Sequence, residues 1–190
     1  FFRSLLALSR EYQADLLGVD CRDPHAIAQS WETNRLDLEP LRREDLFPIY
    51  SLTSDPEVVR FLRFGPHTDP QQTLDLIDQL NAGENRGYLV TTRDGGLVGV
   101  FAMERDPAHP DSAALTVFLD KNRWGNGFCS ELLAFFREKA PAMGVSRLRA
   151  WTAEENTAAC RALESAGFAV EQKLTFRGWD GCLAVYLLDL

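Results

Sequence analysis

The sequence predicts a mixed α/β domain, and three observations carry that prediction. Segments alternating apolar and polar residues with period two are interleaved with segments of helical period, the pattern of a sheet flanked by helices. Two β runs meet at Asp94-Gly95-Gly96, which is hairpin chemistry. A third β run leads into Trp124-Gly125-Asn126-Gly127 and then into an amphipathic helix.

Taken in order, Phe2 to Leu17 spaces Leu5, Leu6, Leu8, Tyr12, Leu16 and Leu17 at roughly helical period and stops at Gly18. The pattern changes at Trp31, so residues 1–30 are read as an N-terminal helical extension and residues 31–190 as the main domain. Leu36 and Leu38 alternate with polar neighbours in a strand ended by Pro40. "REDLFPIYSL" and "SDPEVVRFL" read as short helices, the second with Asp55 as N-cap and Pro56 at the first helical position; Asp69 and Pro70 repeat the device before "TLDLIDQL". "GYLVTTRDGGLVGVFAME" and "SAALTVFLD" supply a three-strand meander. "RFGPHTDP" and "ERDPAHPDSA" read as irregular loops. In "FCSELLAFFREKA", Phe128, Leu132, Phe135 and Phe136 share one helical face, with Glu131 early and Lys139 late as the helix dipole favours. "RLRAWT" is a strand, "NTAACRALESAGF" a short helix closed by Gly167, and "FAVEQKLTF" with "GCLAVYLLDL" a last hairpin around Trp179-Asp180-Gly181. The count is about seven strands.

Composition bounds the function. The 190 residues are 45% hydrophobic and 25% charged, enough for one domain with a substantial core. No run reaches the ~20 apolar residues of a membrane helix, and no targeting signal is visible, so no membrane association is expected. Cys21, Cys129, Cys160 and Cys182 are scattered, with no C-x-x-C and no clustered histidines, which suggests neither disulfides nor a metal site and implies a cytoplasmic compartment. A net charge of −8 argues against nucleic-acid binding and mildly favours basic or amine-bearing partners.

A strand running through a glycine loop into a helix presents unpaired backbone N–H groups at a helix N-terminus, a ready anion site. Here the donors would be Gly125, Asn126, Gly127, Phe128, Cys129 and Ser130. The alternative is a tight strand-to-helix turn that needs glycine for its backbone alone. The stretch is neither a P-loop nor a dinucleotide fingerprint: no Gly-Lys-Ser/Thr follows, and serine stands where a third glycine belongs.

"TNRLDLEPL", "SDPEVVRFL", "FLDKNRWGNGFCSELL" and "ENTAACRALESAGF" occur in the order and spacing of GNAT acetyltransferases. The chain resembles that family from about Thr33 to Leu190, and more narrowly the branch of ribosomal-protein N-terminal acetyltransferases. The resemblance implies a GNAT-like central, mostly antiparallel mixed sheet flanked by helices, with a splayed strand pair forming the cofactor cleft. It implies acetyl-CoA as cofactor, with CoA as product. The glycine loop would hold the pyrophosphate, Trp124 opening the family pattern, Gly127 at its fourth position and Cys129 at its sixth. It further implies a bulge in the strand Ala114 to Leu119 and splaying from the strand Arg147 to Thr152, which would free backbone groups near Phe118 and Leu119 for the pantetheine. Asn156 matches the family asparagine that reaches the cofactor, its other reading being a plain N-cap. Arg161 is a candidate phosphate contact or an ordinary exposed arginine.

Acetyl transfer to an amine needs a neutral amine, oxyanion stabilisation and a proton for the departing thiolate. The resemblance implies direct attack in a ternary complex, with a backbone N–H near Leu119 as oxyanion donor. Where relatives place a tyrosine, a serine or an acidic residue, this chain has Leu163, Ala159 and Ala114. Glu104, at the end of "LVGVFAME", is the candidate base; the other reading is a solvated strand-end carboxylate. His109 and Tyr186 are weaker candidates, and Cys129 and Cys160 lack a readable catalytic partner. The leading expectation is an N-acetyltransferase acting on an amine-bearing small molecule or a protein N-terminus. Its rival is a catalytically impaired acyl-CoA-binding regulatory module. The first helix is a candidate for homodimer formation or for covering the acceptor site.

Overall fold

The structure is a computed structural model and describes residues 29–175 and 181–190. The expected first helix, Cys21 and most of the last hairpin's turn lie outside these residues. Among these residues eight strands form one sheet in the order β1-β2-β3-β4-β5-β6-β8-β7. They are β1 Trp31–Glu32, β2 Leu36–Pro40, β3 Arg86–Thr92, β4 Leu97–Asp106, β5 His109–Leu119, β6 Arg147–Ala153, β7 Ala169–Thr175 and β8 Cys182–Asp189. The strand beyond the expected seven is the two-residue Trp31–Glu32, too short to leave an alternating pattern. Every pairing is antiparallel except β5 with β6.

The helices are α1 Leu46–Thr53, α2 Pro56–Val59, α3 Pro70–Leu80, α4 Phe128–Lys139 and α5 Thr157–Ser165. Asp55 caps α2 by accepting from Glu57 N at 2.9 Å, and Asp69 caps α3 by accepting from Gln71 N at 2.8 Å. Gln72 Oε1 returns the bond to Asp69 N at 3.1 Å, completing a capping box. The amphipathic faces then decide the layers. Leu132, Leu133 and Phe136 of α4 bury against Phe101, Met103 and Leu148, with Phe101 and Phe136 stacked at 3.9 Å. On the opposite face Ile49, Leu52, Ile77 and Leu80 pack on Leu89, Val100 and Phe118.

"ERDPAHPDSA" is not the irregular loop its prolines suggest. β4 runs to Asp106 and β5 starts at His109, so most of the segment is a tight hairpin. Its ends are tied by backbone acceptors: the Arg105 guanidinium donates to Pro110 O at 2.9 Å and also to Met143 O. Asp106 accepts from Ala108 N at 2.9 Å and pairs with His109 at 3.0 Å, so His109 is occupied at the hairpin tip. Pro110 is tolerated because β6 begins to pair only at Ser112.

The splay is present. β5 pairs with β6 from Ser112 to Ala114 and no further, while β6 follows β8 to Ala153 and β5 follows β4 to Leu119. The expected bulge in Ala114–Leu119 is absent: the β4–β5 register runs unbroken from Gly99↔Leu119 to Arg105↔Ala113 and shifts only at Arg105/Asp106. In its place the two strands crowd at Gly99, where a Cβ would lie 2.3 Å from Phe118 O and 2.8 Å from Leu119 Cα. Both are backbone atoms, so neither can swing away. Gly99→Ala is expected to cost about 1–3 kcal/mol, a fall in Tm of roughly 3–10 °C by thermal unfolding. An unchanged melting curve would mean that the strands separate there freely.

Candidate active site

The gap between β5 and β6, closed above by the glycine loop and by the N-termini of α4 and α5, is a cleft of about 970 Å³. Its loop is held from behind. Asp120 Oδ1 accepts from Asn122 N at 2.8 Å and fixes the turn Lys121–Arg123. Trp124, 48% exposed, donates from Nε1 to Leu119 O at 2.9 Å. Asn126 Nδ2 donates to Arg123 O at 3.0 Å and Trp124 O at 3.2 Å. Gly125 has φ +73° and Gly127, the N-cap of α4, has φ +76°, a region where a Cβ is penalised.

Among the described residues the amides of Gly125, Asn126, Gly127, Phe128, Cys129 and Ser130 meet no acceptor; the first to find one is Glu131, on Gly127 O at 3.0 Å. These six groups at a helix N-terminus, beside the cleft, fit an anion, and a phosphate-bearing cofactor is compatible with them.

Arg35 escapes the sequence reading and braces this loop. Its Nε meets Glu131 Oε2 at 2.7 Å, its Nη1 donates to Asn126 O at 2.9 Å, and its guanidinium lies 4.7 Å over the Phe128 ring. Glu131 also accepts from Thr33 Oγ1 at 2.6 Å and from Arg35 N at 2.9 Å. Burial works to raise the Glu131 carboxyl, but these hydrogen bonds and the Arg35 charge outweigh it and hold it below the usual range. Only contact across some ninety residues of sequence reveals the brace, so no local motif announces it.

Along β5 the ladder sorts the backbone groups. Asp120 N donates to Val98 O at 2.8 Å, which makes Gly99 and Leu119 a non-hydrogen-bonded pair and turns the N–H and C=O of Phe118 toward β4. Val117 and Leu119 therefore face the gap, and Val117 replaces Phe118 as the second free backbone site. Phe118 contributes its buried side chain to the cleft wall, edge-on to Phe64 at 6.5 Å.

Asn156 caps α5, accepting from Ala159 N at 3.3 Å, and also lines the cleft, so both readings of it are physically compatible. Arg161 is exposed on the cleft rim. Leu163 and Ala159 face the cleft without a proton to give. Burial pushes the Cys129 thiol up to about 11, which disfavours the thiolate that a nucleophile would need. Cys160 Sγ sits 3.8 Å from Ala153 O and 3.9 Å from Glu154 O, with Lys173 in electrostatic reach and no histidine hydrogen-bonded to it among the described residues. Tyr186 is buried in the core behind the sheet, donating to Glu164 at 3.3 Å. Cys129, Cys160 and Cys182 are free thiols, and no cluster of metal-ligating side chains occurs among the described residues.

Glu104 stands on the cleft wall with a side chain 15% exposed. Its Oε1 accepts from Thr116 Oγ1 at 2.6 Å and lies 3.7 Å from Arg63, while Oε2 engages nothing among the described residues. Arg63 in turn lies 5.6 Å over the Trp151 ring. Thr116 and Arg63 are the neighbours that sequence reading did not single out.

Comparison with known proteins places this architecture. The sequence matches the acetyltransferase (GNAT) domain over residues 35–169. A Bacillus licheniformis protein described as an uncharacterized N-acetyltransferase is 27% identical over 145 residues, 73% of this chain and 82% of that protein. Among solved structures, a GNAT-family acetyltransferase from Bacillus anthracis superposes with a TM-score of 0.73 at 19% identity, covering 85% of this chain and 98% of the other. A spermidine N-acetyltransferase from Vibrio cholerae, in complex with CoA and spermine, gives 0.71 at 20% identity over 81% and 95%. The RimL ribosomal L7/L12 alpha-N-protein acetyltransferase in complex with CoA gives 0.73 at 16% identity over 85% and 98%. The match spans most of the chain and contains both the glycine loop and Asn156, so the chain belongs to the GNAT family of N-acetyltransferases.

Proposed function

We propose that residues 31–190 form a transferase domain that moves an acetyl group from acetyl-CoA to a primary amine by direct attack in a ternary complex. The observation that carries this reading is the row of six unengaged amides at the mouth of a sheet gap whose strand edge is also open. The amides of residues 125–130 bind the pyrophosphate, with Arg161 on the rim. Val117 offers its N–H and C=O to the pantetheine and Leu119 its N–H, since the Leu119 C=O already accepts from Trp124, and one of these N–H groups meets the developing oxyanion. Acetyl-CoA supplies the activated thioester. Glu104 takes the proton that the acceptor ammonium must lose, directly or through water, with Thr116 fixing the carboxylate. The thiolate leaves without a side-chain acid, since Leu163, Ala159 and Ala114 offer none, and water in the cleft serves instead. Much of the acceleration comes from holding the two reactants together.

The relatives support an amine acceptor: one is named for spermidine and another for a ribosomal protein N-terminus. The test is calorimetric titration of acetyl-CoA into the full chain, followed by CoA thiol release across a panel of amines. Saturable binding with amine-dependent release is the expected result. Binding without release from any amine would favour the impaired acyl-CoA-binding module, and no binding would sink both.

A further inference from the structure

Beside Glu104 lies a second cavity, of about 210 Å³, lined by Arg63, Ser112, Arg149 and Trp151 among others. Two of its lining side chains carry buried polar atoms with no partner: Ser112 Oγ and Arg149 Nε. Ser112 is 2% exposed, so its hydroxyl has no bulk water to fall back on. A buried polar group without a partner is costly, and two converging on one small cavity call for a ligand.

The sheet register explains the convergence. Glu104 is opposite Ala114, and Ala114 is opposite Arg149, so their side chains share one face, with Ser112 two residues along the same strand. The other charges are accounted for. Arg105 spends its guanidinium on Pro110, Met143 and Gly144 carbonyls, and Asp106 is paired with His109. Arg149 Nη2 has Glu171 at 3.6 Å, which neutralises part of its charge but leaves Nε free. Arg63 keeps a long 3.7 Å contact to Glu104. What faces the cavity is thus a pair of unpartnered polar atoms, on Ser112 and Arg149, with the exposed Arg63 guanidinium beside them, next to two carboxylates, of which Asp106 is engaged by His109 and Ala108 N and Glu104 keeps one oxygen open.

We propose that this cavity binds the carboxylate of the acceptor, and that the acceptor is a small free amino acid whose α-amine points to Glu104. The inference rests on the transferase reading above and narrows it to a substrate class. Donors alone would suit any anion, but Glu104 at the same site selects a molecule with an amine next to its anionic group. Size agrees, since the cavity is below the usual range for a drug-sized ligand. So does span: Glu104 and Arg149 lie two strand spacings apart, about 10 Å at the backbone, which their own side chains narrow to the reach of one amino acid.

The experiment measures kcat/KM for the L-amino acids, for the α-amide of each and for spermidine, with wild type, Ser112→Ala, Arg149→Gln and Arg149→Lys. At least one amino acid is expected to be preferred over its own amide by about tenfold or more, although the amide has the more weakly basic amine and is easier to deprotonate. Ser112→Ala and Arg149→Gln should pull that acid-to-amide ratio toward one through KM, with acetyl-CoA affinity unchanged, and Arg149→Lys should restore part of it. Equal use of acids and amides, or preference for spermidine, overturns the subsite while leaving the transferase reading intact. If no amine supports turnover, the transferase reading has failed and titration of the amino acids into the protein–CoA complex decides the subsite. Binding of acids but not amides supports it there, and absence of binding overturns it.

Discussion

Gly127→Val is expected to weaken acetyl-CoA binding about 100-fold or more while leaving the protein folded. The native backbone at this position has φ +76°, where an L-residue pays roughly 1–2 kcal/mol and a β-branched one more. The variant relieves that strain by rotating toward an ordinary conformation, which turns the amides of residues 127–130 away from the anion. Losing two charge-assisted hydrogen bonds at about 1.5–3 kcal/mol each accounts for the loss, at about 1.4 kcal/mol per tenfold. A second effect acts in the same direction: a Cβ here would lie 3.6 Å from Arg35 Nη2, so the valine methyls crowd the guanidinium that holds Asn126 O. Gly127→Asn is the discriminating control, because asparagine enters the left-handed region readily. It should stay within about tenfold of wild type by calorimetry. If valine binds as tightly as glycine, the loop does not hold the pyrophosphate, and its glycines serve only the turn. Gly125 isolates the backbone effect, since a Cβ there meets nothing within 4 Å.

Local chemistry was legible in the sequence, and long-range contact was not. The caps at Asp55 and Asp69, the Asp94-Gly95-Gly96 turn and the glycine loop each fit inside a few residues, where propensity and period act directly. "ERDPAHPDSA" was misread because two prolines and two aspartates look like loop chemistry; the hairpin survives because Arg105 satisfies carbonyls contributed by a segment almost forty residues away. "RFGPHTDP" is irregular, as expected, but long-range contacts set its shape. His67, its imidazole held below the usual range by burial, joins Thr73 at 2.8 Å, which joins Thr53 at 2.9 Å, and Phe64 leans on Phe118. That chain of contacts fixes a cleft wall that no local pattern describes. At the site, the glycine loop and Asn156 could be read because the first six amides and the cap are consecutive groups. Arg35 could not, because its partners Asn126 and Glu131 lie some ninety residues away on the loop and α4; nor could Thr116, Ser112 and Arg149, which matter only through the register that sets them beside residues of another strand.

Glu104→Gln is expected to lower kcat by about 100- to 10,000-fold, the usual range for losing a general base, with acetyl-CoA affinity held within about twofold. The substitution preserves shape: Thr116 Oγ1 can donate to the glutamine carbonyl as it does to the carboxylate, so the wall of the cleft need not move. What disappears is the capacity to accept a proton, and the loss should therefore appear in kcat more than in the KM for acetyl-CoA. It should also shrink as the pH rises toward the acceptor amine's own pKa, because a growing fraction of the amine then arrives neutral and needs no base. Thr116→Val separates positioning from chemistry. It keeps the carboxylate but frees its orientation, so a smaller fall is expected, with no such relief at high pH. A Glu104→Gln enzyme with unchanged kcat at neutral pH would assign deprotonation to water and backbone groups, and would reduce Glu104 to a charge that Arg63 and Thr116 merely anchor to the strand.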